Sequence, residues 1–114
     1  MAVIAQGTRF AERIVHGVDD AGAPETIVLW VEWAGGGQWA VGRVVNRHLR
    51  ENPNLARSDD YLFRGYEMQD ALDAANRALA CDLDVSRADG RSEGVPPFSD
   101  GELRRRLERW FFNR

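Results

Sequence analysis

The alternation of apolar and polar positions divides the chain into four extended segments followed by two helices. "ETIVLWVEW" (25–33) gives the strongest strand signal and "QWAVGRVV" (38–45) the next, both rich in β-branched and aromatic residues. The connector "AGGG" supplies the positive φ angles of a tight hairpin. Trp30, Trp33 and Trp39 flank it, and Trp110 is the fourth tryptophan. A two-residue loop at Gly35–Gly36 and a four-residue loop at 34–37 both pair Trp33 with Gln38. Directly opposed residues share a face. That register puts Ile27, Leu29, Val31 and Trp33 with Val44, Gly42, Ala40 and Gln38 on an apolar core face. The other face then carries Val28, Trp30 and Glu32 with Arg43, Val41 and Trp39, which is two large aromatics and a potential acid–arginine pair. A three-residue loop would break this register.

The remaining segments follow by the same reading. In "GTRFAERIVHGV" (7–18) the residues Phe10, Ile14 and Val18 fit a helical or a strand period, and the β-branched residues favour a strand. "DDAGAP" (19–24) is a loop. The stretch 46–60 is polar and interrupted by Pro53, which predicts a loop with at most a helical turn. "YLFRGYE" (61–67) resembles a fourth strand. Met68, Leu72, Ala75, Leu79 and Leu83 make one helical stripe over 68–84. "VSRADGRSEGVPP" opens a flexible connector over 85–98. A second helix spans 99–112, where Ser99 and Glu102 form a capping box and Leu103, Leu107, Trp110 and Phe111 a stripe. The fold class expected is α+β: an antiparallel sheet of about four strands, a long helix packed on one face, and a C-terminal helix after a flexible linker. One domain, 1–114, is expected, with its sheet and helix core at 7–84. The last helix either docks on its own sheet or projects from it.

Composition narrows the function classes. The net charge of −3 provides no global field for nucleic acid or an anionic membrane. All fifteen basic residues are arginine, a uniform bias that reads as a GC-rich coding sequence. The single cysteine, Cys81, excludes an internal disulfide and suits a reducing compartment. The opening "MAVIAQGTRF" lacks the basic and apolar regions of a signal peptide. A cytoplasmic location is expected.

Known catalytic patterns are missing. "GGGQW" joins two strands and leads into no helix, so it is no phosphate loop. His16 and His48, with one cysteine, cannot build a usual structural zinc site. His16 reads as structural on a half-buried strand. Asp19–Asp20 and Asp59–Asp60 read as turn chemistry rather than acid–base dyads. Cys81 reads as a partly buried small residue on the long helix. No cofactor or metal is expected. An enzyme or ligand-binding protein would have to use the 46–60 loop, with Arg47, His48, Arg50, Asp59 and Asp60.

Two surfaces carry the remaining candidates. The first is the mixed hairpin face with Trp30, Trp39 and Arg43. The second is the C-terminal helix, where Arg104, Arg105, Arg106 and Arg109 surround the stripe ending at Trp110. The tryptophan-rich hairpin with "QWAVGRV", followed by "YEMQDALDAANRAL", resembles a WGR domain over about residues 26–84, with Trp39 and Gly42–Arg43 separated by Ala40–Val41. The resemblance implies nucleic-acid binding, and no site residue is carried over from it. The leading expectation is a non-enzymatic protein-interaction module whose aromatic anchors fill pockets of another protein. The alternative is nucleic-acid binding through Trp30, Trp39 and the C-terminal arginines.

Overall fold

Four strands form one antiparallel sheet in sequence order: β1 (Thr8–Val18), β2 (Pro24–Gly35), β3 (Gln38–Val45) and β4 (Tyr61–Gly65). Two helices follow, α1 (Met68–Ser86) and α2 (Asp100–Phe112). The computed structural model describes residues 7–53, 55–86 and 95–112, and the side chains only to 84 and to 109 at the ends of the two helices. The architecture is the expected α+β fold. Segment 7–18 is a strand from Thr8 on, but with a bulge. Arg9 opposes Glu32 and Ala11 opposes Val31, so Phe10 is the extra residue. Phe10 and Ala11 both enter the core, and Ile14 falls on the opposite face, half-exposed. The parity that groups Phe10 with Ile14 therefore fails at this bulge.

The hairpin register also differs from the expected one. Val31 pairs with Val41, Glu32 with Ala40 and Trp33 with Trp39. The turn is at Gly36–Gly37, and a second bulge between Trp33 and Gly35 takes up Ala34. A shift of one residue sends every β3 side chain to the other face. Trp39 thus joins Trp33 rather than Trp30, and Arg43 opposes Leu29. The cause lies in the glycine run. Gly35, Gly36 and Gly37 all adopt positive φ, at 87°, 61° and 80°, so the local sequence does not select one loop length.

Both helices lie on one side of the sheet. Ala71, Leu72, Ala75 and Leu79 of α1 pack on Val15, Ile27, Leu29, Val31 and Val41, with Trp39 edge-on to Phe10 and Trp33. Alanine at the contact allows close approach of helix and sheet. The C-terminal helix docks against β1, burying Leu103 completely, which is worth about 2 kcal/mol relative to exposure. The connector ends inside this core: Phe98 is 3 % exposed and Val95 packs beside it. Asn76 of α1 holds that segment, accepting from the Phe98 N–H at 2.8 Å and donating to its carbonyl at 2.9 Å. Residues 87–94 of the expected linker lie outside the described residues.

The other side of the sheet carries no α-helix among the described residues. Asn46 takes the left-handed conformation at φ 50°, which asparagine tolerates better than most residues, and turns the chain out of β3. Its side-chain oxygen accepts from Thr26 N–H at 2.9 Å, and its own N–H donates to the Thr26 carbonyl at 2.7 Å. Segment 46–60, with 3-10 turns at Arg47–Leu49 and Ser58–Asp60, is laid over this face. Ala56 and Tyr61 pack there on Val28, Trp30 and Val44, a second and smaller core.

Candidate functional site

The helix-free face is organised around Trp30 and Glu32, neighbours on the same side of β2. The indole lies across β3 where Gly42 leaves room: a Cβ at position 42 would stand 2.0 Å from the ring. Trp30 is 1 % exposed. Its Nε1–H donates to Glu32 Oε1 at 2.6 Å, and the Tyr61 hydroxyl donates to the same oxygen at 2.7 Å. Burial and the neighbouring Glu32 carboxylate push the Tyr61 hydroxyl up to about 12. The Arg9 guanidinium lies 4.1 Å from the indole centroid and pairs with Glu12 at 2.8 Å. Glu32 is 6 % exposed. Its other oxygen, Oε2, accepts no hydrogen bond from the described residues.

Arg9, Glu12, Glu32, Arg47 and Tyr61 line a cleft of about 510 Å³ open on this face. A smaller one of about 240 Å³ continues it around the β1 edge, between Arg9, Glu12 and Arg106 of α2. Sequence reasoning missed Arg9, Glu12 and Tyr61. The available signal was Glu32 itself, an acid in the most apolar run of the chain, where burial demands donors.

The expected hairpin site does not assemble. Trp30 and Trp39 lie on opposite faces, and Trp39 is 6 % exposed among core residues. Neither ring is available to stack on a base or fill a partner's pocket. Arg43 faces α1 and makes a two-pronged ion pair with Asp82, at 2.8 and 3.0 Å. The one-residue register shift accounts for Trp39 and Arg43, whereas Trp30 keeps its expected face and is covered there by Ala56, Tyr61 and Arg9.

On α2 the arginines divide. Arg104 pairs with Asp100 at 2.7 Å on the surface. Arg105, Arg106 and Arg109 are exposed, and no ion pair among the described residues engages them. The side chain of Trp110 lies outside the described residues. Ser99 caps the helix, accepting from Glu102 N–H at 3.1 Å. The Glu102 carboxylate turns instead to Arg13 of β1, at 2.7 and 2.9 Å, and Arg13 holds its carboxyl below the usual carboxylate range. Arg13 also donates to the carbonyls of Pro96 and Pro97 and lies over the Phe98 ring. This one side chain ties the connector, the cap and the strand together. Its sequence signal is a charge at a core-facing position between Ala11 and Val15.

In the 46–60 loop the Arg50–Asp60 pair is structural. Asp60 is buried, takes both prongs of Arg50 and accepts from Arg57 N–H at 2.7 Å. Arg50 holds its carboxyl low. Asp19 organises its turn, accepting from Ala21 and Ala23 N–H, each at 2.9 Å. His16 and His48 are exposed, and so is Cys81, which departs from the expected half-buried His16 and partly buried Cys81. Among the described residues no three His, Cys, Asp or Glu side chains gather as metal ligands, and no helix is long and apolar enough to cross a membrane. Compared with models of protein families, with characterised proteins and with solved structures, the chain matches none.

Proposed function

We propose that this chain is a non-enzymatic protein-binding module of the cytoplasm that presents the outer face of α2 to an acidic partner. The observation that carries the reading is the row Arg105, Arg106 and Arg109. These guanidinium groups stand at neighbouring positions on the helix surface, exposed and without an ion-pair partner among the described residues, on a protein that is acidic overall. The helix beneath them is held by Leu103, Phe98 and Arg13, so the backbone that carries the row is anchored before a partner arrives. Such anchoring reduces the ordering cost of association, and arginine forks match carboxylates in pairs. Of the acids that an enzyme of the 46–60 loop would use, Asp60 is engaged by Arg50. An exposed lone thiol suits a reducing compartment.

The test is affinity capture from bacterial lysate, with and without nuclease, comparing the native chain with the triple variant Arg105→Glu, Arg106→Glu, Arg109→Glu. A retained protein that survives nuclease and is lost with the variant supports the reading. Retention unchanged by the charge reversal overturns it. Material removed by nuclease transfers the same arginines to a nucleic acid, the partner that the WGR likeness of 26–84 implies.

A further inference from the structure

The cleft on the helix-free face is a second site, its lining drawn from β1, β2 and residues 47–61, and its chemistry is specific. Glu32 forms its floor, 6 % exposed. Both of its donors, Trp30 Nε1–H and the Tyr61 hydroxyl, bind Oε1. Oε2 is left bare among the described residues, although a buried carboxylate oxygen ordinarily has a donor. Arg9 stands directly opposite Glu32 across the strand pair and is the natural counter-ion. It is turned away, onto the Trp30 ring and to Glu12 Oε2.

The residues that line the cleft therefore offer three acceptors not taken up among the described residues: Glu32 Oε2, the second oxygen of Glu12, and the lone pairs of the Tyr61 hydroxyl. An ammonium group carries three N–H donors and no acceptor. A bare cation would be repelled by the Arg9 and Arg47 guanidinium groups on the same walls. Arg9 spends one nitrogen on Glu12 and keeps other N–H donors for an anion. The Arg9 guanidinium lies 4.1 Å over the Trp30 ring, and the same ring binds the Glu32 carboxylate at 2.6 Å, so one small molecule laid along the indole reaches both groups.

We infer that this cleft binds a small zwitterion, the head group of a free α-amino acid, with its ammonium on Glu32 Oε2 and its carboxylate on Arg9. An ammonium and a carboxylate joined through a single carbon match the acid-and-arginine pair that faces them, and their charges cancel as those of the cleft walls do. Trp30 acts as a positioning residue here, since its Nε1–H fixes which Glu32 oxygen is free.

The test reads the Trp30 Nε1–H resonance of the native protein by NMR while L-alanine, L-leucine, L-glutamate or L-arginine is added up to about 10 mM, a range that detects weak binding. N-acetyl-L-alanine, which lacks the ammonium, and ethylamine, which lacks the carboxylate, serve as controls. The expected result is a saturable shift with at least one amino acid and at least tenfold weaker binding of both controls. In Glu32→Gln, which keeps an acceptor for Trp30 and Tyr61, binding falls at least tenfold. Absence of any saturable shift overturns the inference. So does equal binding of either control, or unchanged binding in a folded Glu32→Gln. The control molecules act on the native chain, so the outcome stands even if the variant does not fold.

Discussion

At the scale of single residues, Gly42 and Tyr61 shape the surroundings of the buried Trp30 and Glu32. Gly42 is required by Trp30, whose ring occupies the space of its missing Cβ. Gly42→Ala must displace the indole from its hydrogen bond to Glu32. The expected cost is about 1–3 kcal/mol, the usual range for overpacking, read as a lower urea midpoint with red-shifted tryptophan emission. Tyr61 gives a signature in alkali. Its hydroxyl titrates at about 12 in the fold and near 10 unfolded. The stability it contributes is complete below pH about 10 and is lost as pH rises through the folded value. Thermal melts between those limits should show the native chain losing stability faster than Tyr61→Phe. Both residues flank an acid that the sequence exposes plainly, Glu32. Trp30 is its neighbour on the same strand, but Tyr61 was not legible as a partner because it comes from a strand distant in the chain.

At the scale of elements, α2 is part of the fold rather than an appendage. Leu103→Ala is expected to cost about 2–5 kcal/mol, as for other buried leucines. A chain ending at residue 90 loses Phe98 and Leu103 from the core and should show no cooperative unfolding transition. Arg13 is the polar half of the docking. Glu102 titrates below its unfolded value because of Arg13. Its contribution is present above the unfolded carboxylate pKa of about 4.3 and is lost as pH falls through the folded one. Arg13→Met should therefore be less stable than the native chain at neutral pH, and the gap should narrow in acid. A gap that stays constant in chemical denaturation across that range would count against the ion pair. Apolar spacing identified α2 and, from its stripe, Leu103 and Leu107 as residues that pack on the core. It could not identify Arg13 as the anchor, since that contact joins residues nearly the whole chain apart.

At the scale of the whole molecule, the two sides of the sheet have different work. One side is filled by two helices and holds most of the core. The other carries a short covering loop and a cleft with acids and arginines on its walls. The exposed arginines of α2 contribute nothing visible to the core, so the triple variant Arg105→Glu, Arg106→Glu, Arg109→Glu should fold with stability within about 0.5 kcal/mol per site of the native chain. A large loss in its denaturation midpoint would show that the row is structural. Capture of an acidic partner through this row should weaken as salt rises, because exposed ion pairs are screened.

The sequence by itself determined the α+β class, the element order, the long helix with its apolar stripe, and Ser99 as the cap of the last helix. Each of these rests on a local cause: periodicity, propensity, or a side chain within reach of its own turn. The tertiary structure alone decided the hairpin register, the Phe10 bulge and the fate of the tryptophans. Three consecutive glycines permit several loop lengths at similar local cost, so packing made the choice. Seating Trp39 beside Phe10 and Trp33, and Trp30 on Gly42, fixes one register and places Arg43 against Asp82. A slip of one residue inverts a face, and only contacts from elsewhere in the chain distinguish the two alternatives.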